Sequence, residues 1–264
     1  MTMNLFRPYS MGEPRRDERG RLVGIDRYQD VLGRNWKRFF LTGLMTILGC
    51  LPLTVGVAYA ILSSSVLVLL PAGLVGGAIA GPFLACLYDT VLRALRDAPG
   101  SWGQNYKRSL AQNARAALLP GALTGLFLGA AAFAGMMLFF WSTLRPGAVT
   151  ILVYLFSWLV FLVLSTLYWP QLVLFEQRPM VRLRNALLFT VRYFWATVGA
   201  ALLQLVWWAL MFLFAPWTLL LLPFVGVWFI LFAALFLLYD RLDKAFAIEE
   251  SIARAFPEQV PPQD

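Results

Sequence analysis

The chain has 264 residues, of which 60% are hydrophobic and only 14% are charged, and its mean hydropathy is +0.69. Soluble domains carry about a quarter of charged residues, so this composition excludes an ordinary water-soluble fold and indicates a membrane protein. The formal charge of +8 comes from residues between and outside the apolar runs. That distribution argues against nucleic acid as a partner, because nucleic-acid modules carry a basic face on a packed domain.

The first 38 residues are basic and end in an amphipathic segment. The apolar residues Ile25, Tyr28, Leu32 and Trp36 recur at helical spacing. This spacing predicts a helix over residues 25–39 that packs on the membrane surface or contacts a protein partner.

Six apolar segments are long enough to cross a bilayer, because about 20 helical residues span a hydrocarbon core of about 30 Å. The last apolar run, residues 196–239, would be about 66 Å long as one helix, so we predict that it folds back at Ala215-Pro216-Trp217. Although Ala58-Tyr59-Ala60 has the form of a signal-peptidase site, the polar region before it is too long for a signal peptide, and we predict no cleavage. The predicted spans are residues 39–62, 66–88, 117–141, 148–175, 196–214 and 217–239.

The predicted fold class is therefore an all-α, polytopic transmembrane helical bundle with six spans. The chain divides into a cytoplasmic N-terminal segment (1–38), a transmembrane domain (39–239) and a cytoplasmic C-terminal helix and tail (240–264). The charged helix of the last part is predicted to reach about Phe256.

Small and polar residues inside the spans predict how the helices pack. Glycines recur at every fourth position in the second span and again in the third, and such faces let two backbones approach closely. We favour packing between these two neighbouring spans over a homodimer seam, and for the amide in the fifth span we favour an interhelical hydrogen bond over a substrate contact. The predicted helix-packing residues are Gly73, Gly77, Gly81, Gly121, Gly125, Gly129 and Gln204.

Two connections between spans are predicted to form amphipathic helices of their own. Ser101 can cap a helix that runs to about Ala117, and a second helix extends from Met180 to Phe194. Both have apolar residues on one face with basic residues beside it, which is typical of a helix on an anionic membrane surface, and a protein docking site is the alternative. The candidate lipid- or partner-contacting residues are Trp102, Tyr106, Lys107, Arg108, Asn113, Arg182, Arg184 and Asn185.

Basic residues are divided very unequally between the two sides of the predicted membrane. Twenty-one of the 22 lysines and arginines lie in the N-terminal segment, the second-to-third loop, the fourth-to-fifth loop and the tail, and Arg145 lies on the other side. Because cytoplasmic loops are enriched in lysine and arginine, this asymmetry predicts a multi-pass protein of the bacterial inner membrane with both termini in the cytoplasm.

The sequence carries no pattern that is typical of catalysis or metal binding. None of the six predicted cores contains Asp, Glu, Lys, Arg or His, and Cys50 and Cys86 are too far apart for a metal-binding motif. Nucleotide-binding, zinc-protease and serine-hydrolase motifs are also absent. We therefore predict a non-enzymatic protein with no cofactor and no metal.

Several segments resemble the YesL-like family of bacterial membrane proteins. The matching stretches are LPLTVG at residues 51–56, GPFLACLYDTVLRALRD at 81–97, W-x-x-x-Y-K-R-S-L-x-Q-N at 102–113 and RLRNALL at 182–188. Members of that family are associated with ATP-driven carbohydrate uptake. The resemblance therefore implies an accessory or regulatory subunit of an ABC-type oligosaccharide importer, with the permease subunits and the lipid bilayer as partners.

Two other functions stay open at this point, and so does homo-oligomerisation. An independent channel or carrier for a neutral or lipidic solute would use Gln204 and the prolines within the spans, because interrupted helices mark binding sites in some transporters. Proline is also widely tolerated in membrane helices, which is the interpretation we favour. The third function is a membrane sensor that signals through its cytoplasmic helices. The prolines in question are Pro52, Pro71, Pro82, Pro170 and Pro223.

Overall fold

The structure is a computed structural model that describes residues 16–17, 20–141, 146–215 and 217–255. Within these residues all regular elements are helical, and an isolated β-bridge joins Arg16 to Leu22. The α-helices are α1 (Ile25–Leu62), α2 (Val66–Leu95), α3 (Trp102–Met136), α4 (Ala148–Leu174), α5 (Pro179–Arg192), α6 (Phe194–Leu213), α7 (Trp217–Leu221), α8 (Trp228–Phe246) and α9 (Ile248–Ala255). Two π-helical turns, Met137–Trp141 and Leu222–Gly226, continue α3 and precede α8.

Six helical segments are long and apolar enough to cross a membrane, so the predicted all-α fold with six spans is confirmed. Their most apolar stretches have mean hydropathies between 1.8 and 2.4. The six segments are Ile25–Leu62, Val66–Leu95, Trp102–Trp141, Ala148–Leu174, Phe194–Leu213 and Leu222–Phe246. The chain folds back between α6 and α7. Pro216 of the predicted turn lies outside the described residues, as do Arg145 and residues 256–264 with the predicted helix end at Phe256.

The prediction of separate surface helices before the first and third spans is wrong. Residues 25–39 are the beginning of α1, and the segment from Trp102 to Ala117 is the beginning of α3. With 38 residues, α1 is about 57 Å long, nearly twice the thickness of a hydrocarbon core. No helix-breaking residue stands at the first boundary, and α3 continues through Pro120 and Gly121 just beyond the second. Helix propagation is favourable once a helix has formed, so each helix continues past the bilayer.

The sixth span lies at the centre of the bundle. Half of its most apolar stretch is buried, compared with 11% for the third and fourth spans. Its helix α8 contributes Phe232 to a hydrophobic cluster with Phe39 of α1 and Leu87 of α2, and it contributes Leu238 to a second cluster with Leu167 of α4. The third and fourth spans therefore lie at the periphery, where most of their apolar side chains face outward.

The glycine-rich faces of α2 and α3 pack against each other within one chain. A Cβ atom placed on Gly81 would lie 2.3 Å from the carbonyl oxygen of Ala117, and one on Gly125 would lie 2.4 Å from the Cα atom of Gly77. Gly129, one turn beyond Gly125, faces the Val57 side chain of α1. These backbones are in direct contact, which only glycine at the crossing points permits.

Candidate functional site

The segments that carry the basic residues meet at one end of the bundle. The Arg21 guanidinium, before α1, lies 2.7 Å from a carboxylate oxygen of Glu249 in α9. Arg34 of α1 donates a 2.7 Å hydrogen bond to Asp97 in the α2–α3 connection. The N-terminal segment, the second-to-third loop and the C-terminal helix are thereby joined, and we call this region the basic end.

Helix α5 completes the basic end. Its buried Phe189 ring stacks on Phe246 at the end of α8, with ring centroids 6.1 Å apart. Ala186 of α5 belongs to the same buried cluster as Leu242 of α8 and Ile248 of α9. The fourth-to-fifth loop therefore lies beside the other three basic segments, which is the arrangement that an even number of spans between them requires.

Glu249 is the centre of an ion-pair network at this end. It accepts hydrogen bonds from Arg21 and, at 3.0 Å, from the hydroxyl of Tyr239. Arg21 also lies 3.6 Å from Asp97. Burial lowers the pKa of Arg21, but the hydrogen bond and charge of Glu249, together with Asp97, outweigh burial and leave this pKa raised. Arg21 therefore stays charged and cross-links three segments of the chain.

A second ionic group lies deeper, on the last two turns of α2. Asp89 accepts a 2.8 Å hydrogen bond from Nε of Arg93, and both side chains are largely buried. Nε of Arg96 is buried without a hydrogen-bond partner among the described residues. Burial, together with the charge of Arg93, lowers the pKa of Arg96, while Asp89 partly opposes this effect. This group is not apparent from hydropathy, because the second span was predicted to end at Tyr88, one residue before Asp89.

A polar cavity of about 330 Å³ opens between the N-terminal segment and α1. Its lining arginines already have partners: Arg27 donates a 2.6 Å hydrogen bond to the carbonyl oxygen of Leu95, and Arg34 pairs with Asp30 as well as Asp97. The cavity is therefore a gap within a network of ion pairs and hydrogen bonds. Its principal lining residues are Arg16, Arg21, Arg27, Asp30, Arg34 and Asp97.

Among the predicted contact residues at the start of α3, the two aromatic side chains make contacts inside the bundle. The indole Nε1 of Trp102 donates a 2.8 Å hydrogen bond to the hydroxyl of Thr42 in α1, and its ring lies 5.5 Å from that of Tyr106. The hydroxyl of Tyr106 is buried. Asn113 is half-buried and hydrogen bonds to Ser109, whereas Lys107 and Arg108 are exposed. The predicted apolar stripe of this segment therefore packs on protein.

The predicted contact residues of α5 are also divided between the two faces of the helix. Arg182 is 6% exposed and donates a long, 3.4 Å hydrogen bond to the carbonyl oxygen of Phe175, so it cannot contact a partner. Asn185 is half-buried and hydrogen bonds to Gln177 at 3.3 Å, which ties α5 to the loop before it. Arg184 is exposed. Of the three predicted residues, only Arg184 lies on the outer face.

Gln204 lies between two spans and does not line the polar cavity of the basic end. Its Nε2 donates a 2.7 Å hydrogen bond to the hydroxyl of Thr166 in α4. The other cavity, of about 400 Å³, lies at the far end of α4 beside Val153 and Tyr154. The helices continue through the first four prolines named in the sequence analysis, and Pro223 lies in a π-helical turn.

We expect only a small energetic contribution from Gln204, because interhelical hydrogen bonds in membranes average about 0.6 kcal/mol. A double-mutant cycle with Gln204→Leu and Thr166→Val should give a coupling free energy close to that value. The measurement is the free energy of unfolding of each variant in detergent micelles. A coupling well above about 2 kcal/mol would contradict a simple packing role.

The described residues contain no group of three or more His, Cys, Asp or Glu side chains that could hold a metal ion. Fold and site together define a six-span α-helical membrane protein with its basic segments collected at one end. No protein-family model, no curated protein and no solved structure matches this chain. The resemblance to the YesL-like family stays a prediction.

Proposed function

We propose that this protein is a non-enzymatic membrane subunit that binds other subunits of an uptake system through its basic end. The observation that supports this function most directly is the continuation of α1 and α3 beyond the bilayer. Residues 25–38 of α1 alone extend for about 21 Å, and the ion pair of Arg34 with Asp97 holds them to the α2–α3 connection. Arg21, just before α1, pairs with Glu249 of α9. A rigid, cross-linked projection of this kind is suited to docking.

The ionisable groups of the basic end and of the deeper group around Asp89 favour a structural role over a catalytic one. Asp89 is engaged by Arg93, and Glu249 is engaged by Arg21 and Tyr239. Catalytic acids and bases need a free path to a substrate and a pKa near the working pH, and these carboxylates are held by permanent cations instead.

The identity of the partner follows from the resemblance alone. A YesL-like protein would act as an accessory or regulatory subunit of an ABC-type oligosaccharide importer, so we propose a permease subunit of such an importer as the partner. The basic end would face the cytoplasm of a bacterial cell, because lysine and arginine are retained on that side of the inner membrane. The exposed face of α3 that carries Gln104, Lys107 and Arg108 is the surface that we assign to this contact.

Site-specific photocrosslinking in the native membrane tests this function. A benzoylphenylalanine residue at position 107 should crosslink to a permease subunit, which mass spectrometry of the crosslinked band identifies. In addition, Lys107→Glu should lower the amount of permease that co-purifies in mild detergent by roughly fivefold, as expected for one exposed charge pair of about 1 kcal/mol.

The matched control places the same crosslinker at position 67. Leu67 is exposed near the beginning of α2, at the end of the bundle opposite to the basic end. It should give no permease adduct. Equal crosslinking from positions 67 and 107, or the absence of any permease from both preparations, would overturn the proposed function.

A further inference from the structure

The two other predicted amphipathic segments are parts of α1 and α3, whereas α5 is a separate helix. It has an apolar face that no described residue covers. Met180, Leu187 and Val191 recur at helical spacing, and Met180 and Val191 are 74% and 79% exposed. On the opposite face, Ala186 and Phe189 are buried against α8 and α9. The helix is thus fixed on one side and open on the other.

The length of α6 places the end of α5 at the membrane boundary. Helix α6 has 20 residues and is about 30 Å long, which matches the hydrocarbon core with no residue to spare. Phe194 must therefore lie at the edge of the hydrocarbon, and Arg192, two residues earlier, must lie at the level of the lipid headgroups. Helices α1 and α3, in contrast, extend well beyond this level.

The open face of α5 continues directly into the lipid-facing surface of α6. Trp195, at the beginning of α6, is 84% exposed, and Phe194 beside it is about half exposed. The amphipathic indole of Trp195 favours the headgroup level, and the apolar ring of Phe194 favours the hydrocarbon beside it. If α5 projected into water, its apolar face and this aromatic pair would both be hydrated, whereas a helix in the plane of the interface places both in lipid.

The charge of α5 also matches a bilayer surface. Arg178, Arg184 and Arg192 are exposed, and the sequence has no acidic residue from Gln177 to Phe194. Arg184 lies within the apolar face, where a long side chain buries its methylene groups and extends the guanidinium to the phosphate level. Basic residues at this level attract anionic headgroups.

We propose that α5 is an interfacial helix that embeds its Met180–Leu187–Val191 face in the bilayer and collects anionic phospholipids with Arg184 and Arg192. The occupant of this face is lipid, and it is neither a protein partner nor a second copy of the chain. This binding surface is independent of the proposed docking face on α3.

Collision-accessibility measurements on spin labels test the embedding. Labels are placed singly at positions 180, 191 and 107 of full-length protein that lacks Cys50 and Cys86, in nanodiscs that contain phosphatidylcholine and phosphatidylglycerol. Labels at 180 and 191 should collide readily with oxygen and poorly with a water-soluble nickel chelate, and the label at 107 should show the reverse. Nickel accessibility at 180 and 191 equal to that at 107 would overturn the proposal, and so would protection from both reagents, which would indicate a protein cover.

Lipid selectivity tests the second half of the proposal. Each basic residue near an anionic surface contributes about fivefold to lipid preference. The variant R184Q/R192Q should therefore retain phosphatidylglycerol over phosphatidylcholine less selectively, by about fivefold for each arginine removed, as measured by mass spectrometry of co-purified lipid. The control K107Q/K244Q loses the same charge from exposed residues outside α5. Equal losses in the two variants would show that net charge, and not α5, selects the lipid.

Discussion

Replacing Gly77 with alanine should lower the free energy of unfolding by about 3 kcal/mol, the upper part of the usual range for overpacking. The added Cβ atom would lie 2.4 Å from the carbonyl oxygen of Gly121 and 2.7 Å from the Cα atom of Gly125. Both are backbone atoms of α3, so no side-chain rotation relieves the clash. Helices α2 and α3 must separate, and the contacts along the whole glycine face weaken with them.

The measurement is the unfolding free energy in micelles, accompanied by size-exclusion chromatography to detect misassembly. Gly199→Ala is the matched control, because no atom lies within 4 Å of the position that its Cβ would occupy in α6. That variant should keep its stability or gain up to about 1 kcal/mol from the higher helix propensity of alanine. If the two alanine variants unfold at the same denaturant concentration, the glycine faces do not hold α2 and α3 together.

Removing the buried carboxylate of α2 should be at least as damaging. We expect Asp89→Asn to cost about 3–5 kcal/mol, because breaking a buried ion pair leaves its partner as an uncompensated charge. The effect is increased by Arg96, whose side chain lies near both Asp89 and Arg93. Without the carboxylate, two guanidinium groups with the same charge would face each other in a poorly hydrated site.

The chain provides a control with the same spacing and the opposite exposure. Glu250 and Arg254 form an ion pair four residues apart on α9, as Asp89 and Arg93 do on α2, but both are exposed. Glu250→Gln should change the unfolding free energy by less than about 0.5 kcal/mol. The double variant D89N/R93M should recover part of the loss, since it removes the stranded cation. A cost for Asp89→Asn no larger than that for Glu250→Gln would refute the importance of burial.

The spans were predictable because the thickness of the bilayer requires about 20 consecutive apolar residues, which is a local property of the sequence. The fold-back after α6 follows from the same rule, since the run from 196 to 239 is too long for one crossing. The close packing at the glycine faces was predictable, because glycines repeated every four residues indicate a close approach of two helix backbones. Contact between α2 and α3 was the favoured choice only because these helices are neighbours in the sequence.

The basic end was less predictable, and the stripe from Trp102 to Ala117 shows why. An amphipathic pattern indicates that one helix face avoids water, but it does not distinguish lipid from protein as the cover. In α3 the apolar stripe packs on other helices of the protein. In α5 the apolar stripe faces outward, on the side of the helix opposite to the buried residues Ala186 and Phe189. The pairing of Arg21 with Glu249 joins residues 228 positions apart, which no local pattern indicates.

That pairing has a consequence for the order in which the protein is made. Glu249 leaves the ribosome only after all six spans, so Arg21 spends most of synthesis without its carboxylate. The spans and the glycine-packed hairpin can insert one after another, but the basic end cannot close until α9 has been synthesised. Closure of the basic end therefore follows the synthesis of all six spans, and a chain that stalls before α9 would leave Arg21 without Glu249.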